Sequence, residues 1–220
     1  MRIPARGSTL KYLYILSGIY DEPERGRKMN NKKKLQFMTI TSLLAALVVL
    51  LGVTPIGFIN VGVIYITFLC VPVIVGALAM GLKCGLILGA CMGLVSFYTA
   101  LRAPSALVAP IMQSGVVYAC ILSLAPRFLV PLVTYGVKVL CEKWAGKIAL
   151  PLAAALGSLT NTAAYLGLMV IFYRLMGIEN PALLTTVGTI VLTAGLPEAG
   201  AAALIATPIV VALRKAKLVK

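Results

Sequence analysis

Two ionisable residues fall inside apolar stretches of the sequence: Arg127, in LAPRFLVPLV, and Glu198, in GLPEAGAAAL. A charge at membrane depth is costly and usually faces a cavity or a partner. The planar fork of arginine suits a carboxylate, which it can bind at two points. Asn161, in SLTNTAAY, and Tyr165 one turn beyond it add neutral hydrogen-bonding groups on one helical face. Two chemistries are therefore open. Arg127, Asn161 and Glu198 pair with each other and fix a bundle, or they line the floor of a pocket where Arg127 meets a ligand carboxylate. The two are compatible. Further neutral donors and aromatics, Asn60, Tyr65, Thr67, Tyr98, Gln113 and Tyr118, gather in the connections on one side of the map. Aromatic walls with a few placed donors are what hold a small polar ligand.

Other chemistries are excluded by absence. The chain has no histidine, which removes ordinary zinc, haem and His-based triad chemistry. Its five cysteines, Cys70, Cys84, Cys91, Cys120 and Cys141, show no metal-ligand spacing and read as small apolar fillers. No GxxxxGK[ST] loop occurs, so the chain cannot power ATP-driven transport alone. There is no acidic cluster for a metal and no nucleophile–base pair, so neither a cofactor nor an enzyme is expected.

The elements that position these residues are membrane spans. Of 220 residues 60% are hydrophobic and 12% charged, and the mean hydropathy is +1.00. A soluble domain carries about 25% charged residues, so this chain must use lipid as solvent. Apolar runs predict six spans, at about 35–53, 68–80, 84–101, 116–139, 148–173 and 184–213. FINVGVIYIT joins the first two as an uncharged connection. Counted from one membrane face, Arg127, Asn161 and Glu198 lie at roughly similar depth, about 12 to 15 residues in.

The net charge of +14 follows the same map. Lys32, Lys33, Lys34, Lys83, Lys138, Lys143, Lys147, Arg214, Lys215, Lys217 and Lys220 all fall on one side, whereas Arg102 and Arg174 are on the other, with Glu179 beside the second. The positive-inside rule then predicts an all-α six-helix bundle with both termini inside. No basic surface interleaved with aromatics argues for nucleic acid. Residues 1–34 read as a basic, disordered extension and 214–220 as a basic tail. MNNKKKLQF at Met29 reads like a natural start, so residues 1–28 are expected to lie outside the native protein, which N-terminal sequencing decides.

Small residues recur at four-residue spacing: Ser42 and Ala46, Ala153 and Gly157, Gly195 with Ala199 and Ala203, and, in GLKCGLILGACMG, Gly85, Gly89 and Gly93. Such stripes let helices approach closely in lipid. Gly81 stands apart from the last stripe because, with Leu82 and Lys83, it forms a turn. Whether that glycine face seats a neighbouring helix or another subunit is open.

TPIGFINVGVIYITFLCVPVIVGALAMGLKCGLILGACMGLVS resembles the first half of the substrate-binding S components of energy-coupling-factor (ECF) vitamin transporters. LAPRFLVPLV, SLTNTAAYLG and GLPEAGAAALIATPIV are similar to the family's fourth, fifth and sixth spans. The resemblance implies an outward-facing vitamin pocket, a transmembrane coupling (T) subunit and two ABC ATPases as partners. It places Ser42 and Ala46 on the docking face, with serine where the family often has alanine. The wording is most similar to the pantothenate branch, with folate, riboflavin and hydroxymethylpyrimidine as alternative ligands. A stand-alone secondary transporter or a membrane scaffold is the competing function.

Overall fold

The computed structural model describes residues 31, 34–54, 58–61, 64–105, 107–142, 146–178 and 183–216. Helix α1 (Lys34–Val53) is followed by strands β1 (Phe58–Val61) and β2 (Ile64–Thr67). Then come α2 (Cys70–Met80), α3 (Leu82–Arg102), the short α4 (Ala109–Ser114) and α5 (Val116–Glu142). A 3₁₀ turn at Gly146–Ile148 leads into α6 (Ala149–Leu175). Finally α7 (Leu183–Ile190) runs through a π-helical turn at Val191–Gly195 into α8 (Leu196–Lys215). Most expectations about residues 1–34 fall outside the described residues.

Among the described residues, five helices are long and apolar enough to cross a membrane: α1, α3, α5, α6 and the continuous Val187–Lys215 segment. The expected second span, about 68–80, is α2, which starts two residues later. At 11 residues α2 is about 16 Å long, half a bilayer core. Nine of its residues are buried, because it packs against α3, α5, α6 and α8. A helix enclosed by its neighbours needs no lipid-facing length. The rest of the expected connection is the antiparallel pair β1–β2, which sequence reading missed: Asn60 lies opposite Tyr65 and Phe58 opposite Thr67. Alternating β-branched and aromatic residues suit such a pair. The bundle is thus all-α, with one hairpin added.

The glycine stripe finds its partner inside the bundle. A Cβ at Gly85 would lie 2.7 Å from Pro131 Cβ, one at Gly89 2.6 Å from the Arg127 carbonyl oxygen, and one at Gly93 3.3 Å from Leu124 Cα. All three glycines therefore seat α3 on α5, and Gly85 also meets α2, where its Cβ would lie 2.8 Å from Ala77 Cβ. Gly81 has φ +92° and joins α2 to α3, as its place in the turn requires. From Thr41 onward α1 also packs on α3, through Thr41 Oγ1 and Cys84 Sγ at 3.3 Å. The other face of α1, including Ser42, Leu43, Ala46 and Leu50, is exposed.

Candidate functional site

Both prolines of α5 lie within a helix that stays continuous, and the reason leads to the site. A proline at position i frees the carbonyl of residue i−4. The carbonyl freed by Pro126 is that of Leu122, and Arg127 Nη1 donates to it at 3.3 Å. The carbonyl freed by Pro131 is that of Arg127, and it faces Gly89, where no side chain intervenes. The two prolines and the glycine stripe thus fix the backbone and head group of one arginine.

The guanidinium carbon of Arg127 lies over the Tyr165 ring, 4.8 Å from its centroid. Glu198 on α8 is close enough to interact with it electrostatically. Glu198 is 7% and Asn161 8% exposed. Arg127 Nε and Asn161 Oδ1 are buried and have no hydrogen-bond partner among the described residues. Beside Arg127 and Tyr165 is a cavity of about 230 Å³, walled by Leu69, Val95, Ser96, Thr99, Ser105 and Val108 among others. A second cavity of about 260 Å³, lined by Tyr98, Arg102 and Thr54, shares Gly52, Thr99 and Ala103 with it. Arg102 lies over Tyr98 at 5.5 Å, which places a second cation–π pair at this end.

The loop between α3 and α5 forms part of the wall and is anchored from below. Val108 and Ile111 pack on Leu122 of α5 and on Met169, Phe172 and Tyr173 of α6. The Tyr173 hydroxyl donates to the Leu107 carbonyl at 2.8 Å. Tyr118 meets Phe172 edge to face at 5.4 Å.

Of the residues singled out from sequence, Arg127, Tyr165 and Glu198 come together. Tyr98 lines the adjoining cavity. Asn161 is buried one turn below Tyr165 on α6. Gln113 is exposed on α4 and lines neither of these cavities. Asn60 and Tyr65 occupy paired positions of the hairpin, and their side chains lie outside what is described. Sequence reading missed Ser96, Thr99 and Ser105. Ser96 and Thr99 are one turn apart on α3, a hydroxyl pair in an apolar span that could have marked them.

What this arrangement can do is hold a small anionic molecule: one guanidinium with an unpartnered donor, hydroxyls on one wall, and apolar or aromatic surface around them. The family "ECF transporter, substrate-specific component" matches residues 36–210. The chain is also similar to the "Pantothenic acid transporter PanT" of Lactococcus lactis subsp. cremoris (strain MG1363). The two are 31% identical over 159 residues, which are 69% of this chain and 79% of that protein.

Proposed function

The chain belongs to the substrate-specific components of ECF transporters, and we propose that within that family it captures pantothenate. Its family is one of membrane transporter components rather than enzymes. The observation that carries the ligand reading is Arg127, held over Tyr165 at the cavity wall with its Nε unpartnered among the described residues. The carboxylate of pantothenate engages this guanidinium, and its hydroxyls face Ser96, Thr99 and Ser105. Glu198 offsets the arginine charge when the pocket is empty.

In this reading α1, α2, α3, α5, α6 and the α7–α8 segment are the six spans, with both termini in the cytoplasm. The cavity then opens outward. A coupling subunit and two ABC ATPases supply the energy for which this chain has no phosphate loop. The coupling subunit docks on the exposed Ser42 and Ala46 face of α1. Gly85, Gly89 and Gly93 serve the α3–α5 seat instead.

Equilibrium binding of radiolabelled vitamins to the purified protein tests the reading. Pantothenate is expected to bind and riboflavin not. Arg127→Ala is expected to weaken pantothenate binding roughly 10- to 100-fold, the scale of a lost hydrogen bond to a charged group. Unchanged affinity in that variant removes Arg127 from the pocket.

A further inference from the structure

About three turns beyond Arg127 along α5, the bundle has a further cavity with no part in the site above. It measures about 570 Å³ and is lined by Lys138 and Glu142 of α5, Ala149 of α6, and Thr207, Val211 and Arg214 of α8, among others. We propose that this cavity is a binding site for the phosphate headgroup of an anionic phospholipid.

The polar groups around it favour an anion. Lys138 and Arg214 bring two cations against the single carboxylate of Glu142. That carboxylate is 3.8 Å from Arg214 Nη2, a loose pairing between an exposed Glu142 and a half-buried Arg214. Arg214 Nε and Thr207 Oγ1 are buried and have no hydrogen-bond partner among the described residues. The N-terminus of α6 also lies here, with no side-chain cap among the described residues, so the positive end of its dipole adds to the same field. Lys138 Nζ donates to the Leu78 carbonyl near the end of α2 at 3.1 Å. Its position is therefore fixed, and an ammonium keeps further donors free.

The surroundings distinguish a lipid from a free phosphate. The cavity lies at the ends of membrane-crossing helices, where headgroups are. Val211 on its wall is exposed, and Leu140 and Ile148 on the adjoining helix ends are 75% and 65% exposed. Acyl chains would cover this apolar rim, whereas inorganic phosphate has no use for it. Basic pockets between spans are a recurring form of anionic-headgroup site. One bound headgroup would bridge α5, α6 and α8 and, through Lys138, reach α2.

Native mass spectrometry of the delipidated full chain in detergent, titrated with phosphatidylglycerol or phosphatidylcholine, tests this. Phosphatidylglycerol is expected to be retained at least fivefold more tightly and to raise the unfolding temperature, with inorganic phosphate at the same concentration doing neither. Arg214→Gln is expected to lower phosphatidylglycerol retention severalfold. Glu142→Gln, which removes the opposing carboxylate and keeps both cations, is expected to raise it. Because the second variant moves the other way, a loss of fold in Arg214→Gln cannot imitate the pattern. Equal retention of the two lipids, an equal effect of inorganic phosphate, or weaker retention in Glu142→Gln would overturn the proposal.

Discussion

Arg127 has two partners of different kinds, and each can be tested separately. Its Nη1 closes the gap left by Pro126 and its face rests on Tyr165, while its Nε is buried without a hydrogen-bond partner among the described residues. The aromatic face holds the cation through its quadrupole rather than its hydroxyl. Tyr165→Phe is therefore expected to bind pantothenate within about twofold of the wild type. Tyr165→Leu is expected to lose about 0.5–2 kcal/mol of affinity, the range of a partly desolvated cation–π pair. Calorimetric titration of both variants checks this, and equal losses would put the hydroxyl, not the ring, in contact with the ligand. The involvement of Arg127 and Glu198 was legible because charges within apolar runs stand out.

Among the elements, the α3–α5 seat is what holds the arginine in place. Gly89 lies against the carbonyl that Pro131 frees, so a side chain there pushes α5 away at the turn carrying Arg127. Gly89→Leu is expected to cost about 1–3 kcal/mol of stability, as overpacking does. It is also expected to lower pantothenate affinity, because the guanidinium moves with the backbone. Thermal unfolding and ligand binding of the purified variant decide this. Intact binding with lost assembly would instead assign the glycine face to the coupling subunit. The stripe itself was plain in the sequence, yet its partner was not: four-residue spacing records that something approaches closely, without recording what. The enclosure of α2 belongs to the same class, since hydropathy alone cannot separate a helix shielded by neighbours from one in lipid.

For the whole molecule, the proposed division of labour gives a sharp expectation. The protein alone in proteoliposomes is expected to bind pantothenate without accumulating it. With a coupling subunit, two ATPases and ATP, accumulation is expected, and Ala46→Leu on the exposed face of α1 should abolish it while leaving binding intact. Labelled-vitamin uptake measured in the three preparations checks this. Accumulation without ATPases would turn the reading toward a secondary transporter.

The sequence alone determined that this is a multi-span membrane protein, how its basic residues are distributed, and which family it resembles. Those properties depend on local composition and the order of motifs, which one-dimensional pattern carries. The tertiary structure decided which helix fills the glycine seat, that the connection after α1 pairs as strands, and that Ser96, Thr99 and Ser105 share a cavity with Arg127 and Tyr165. Each of these depends on groups far apart in the chain meeting at one point in space. Close packing settles which groups meet, and spacing along the chain does not.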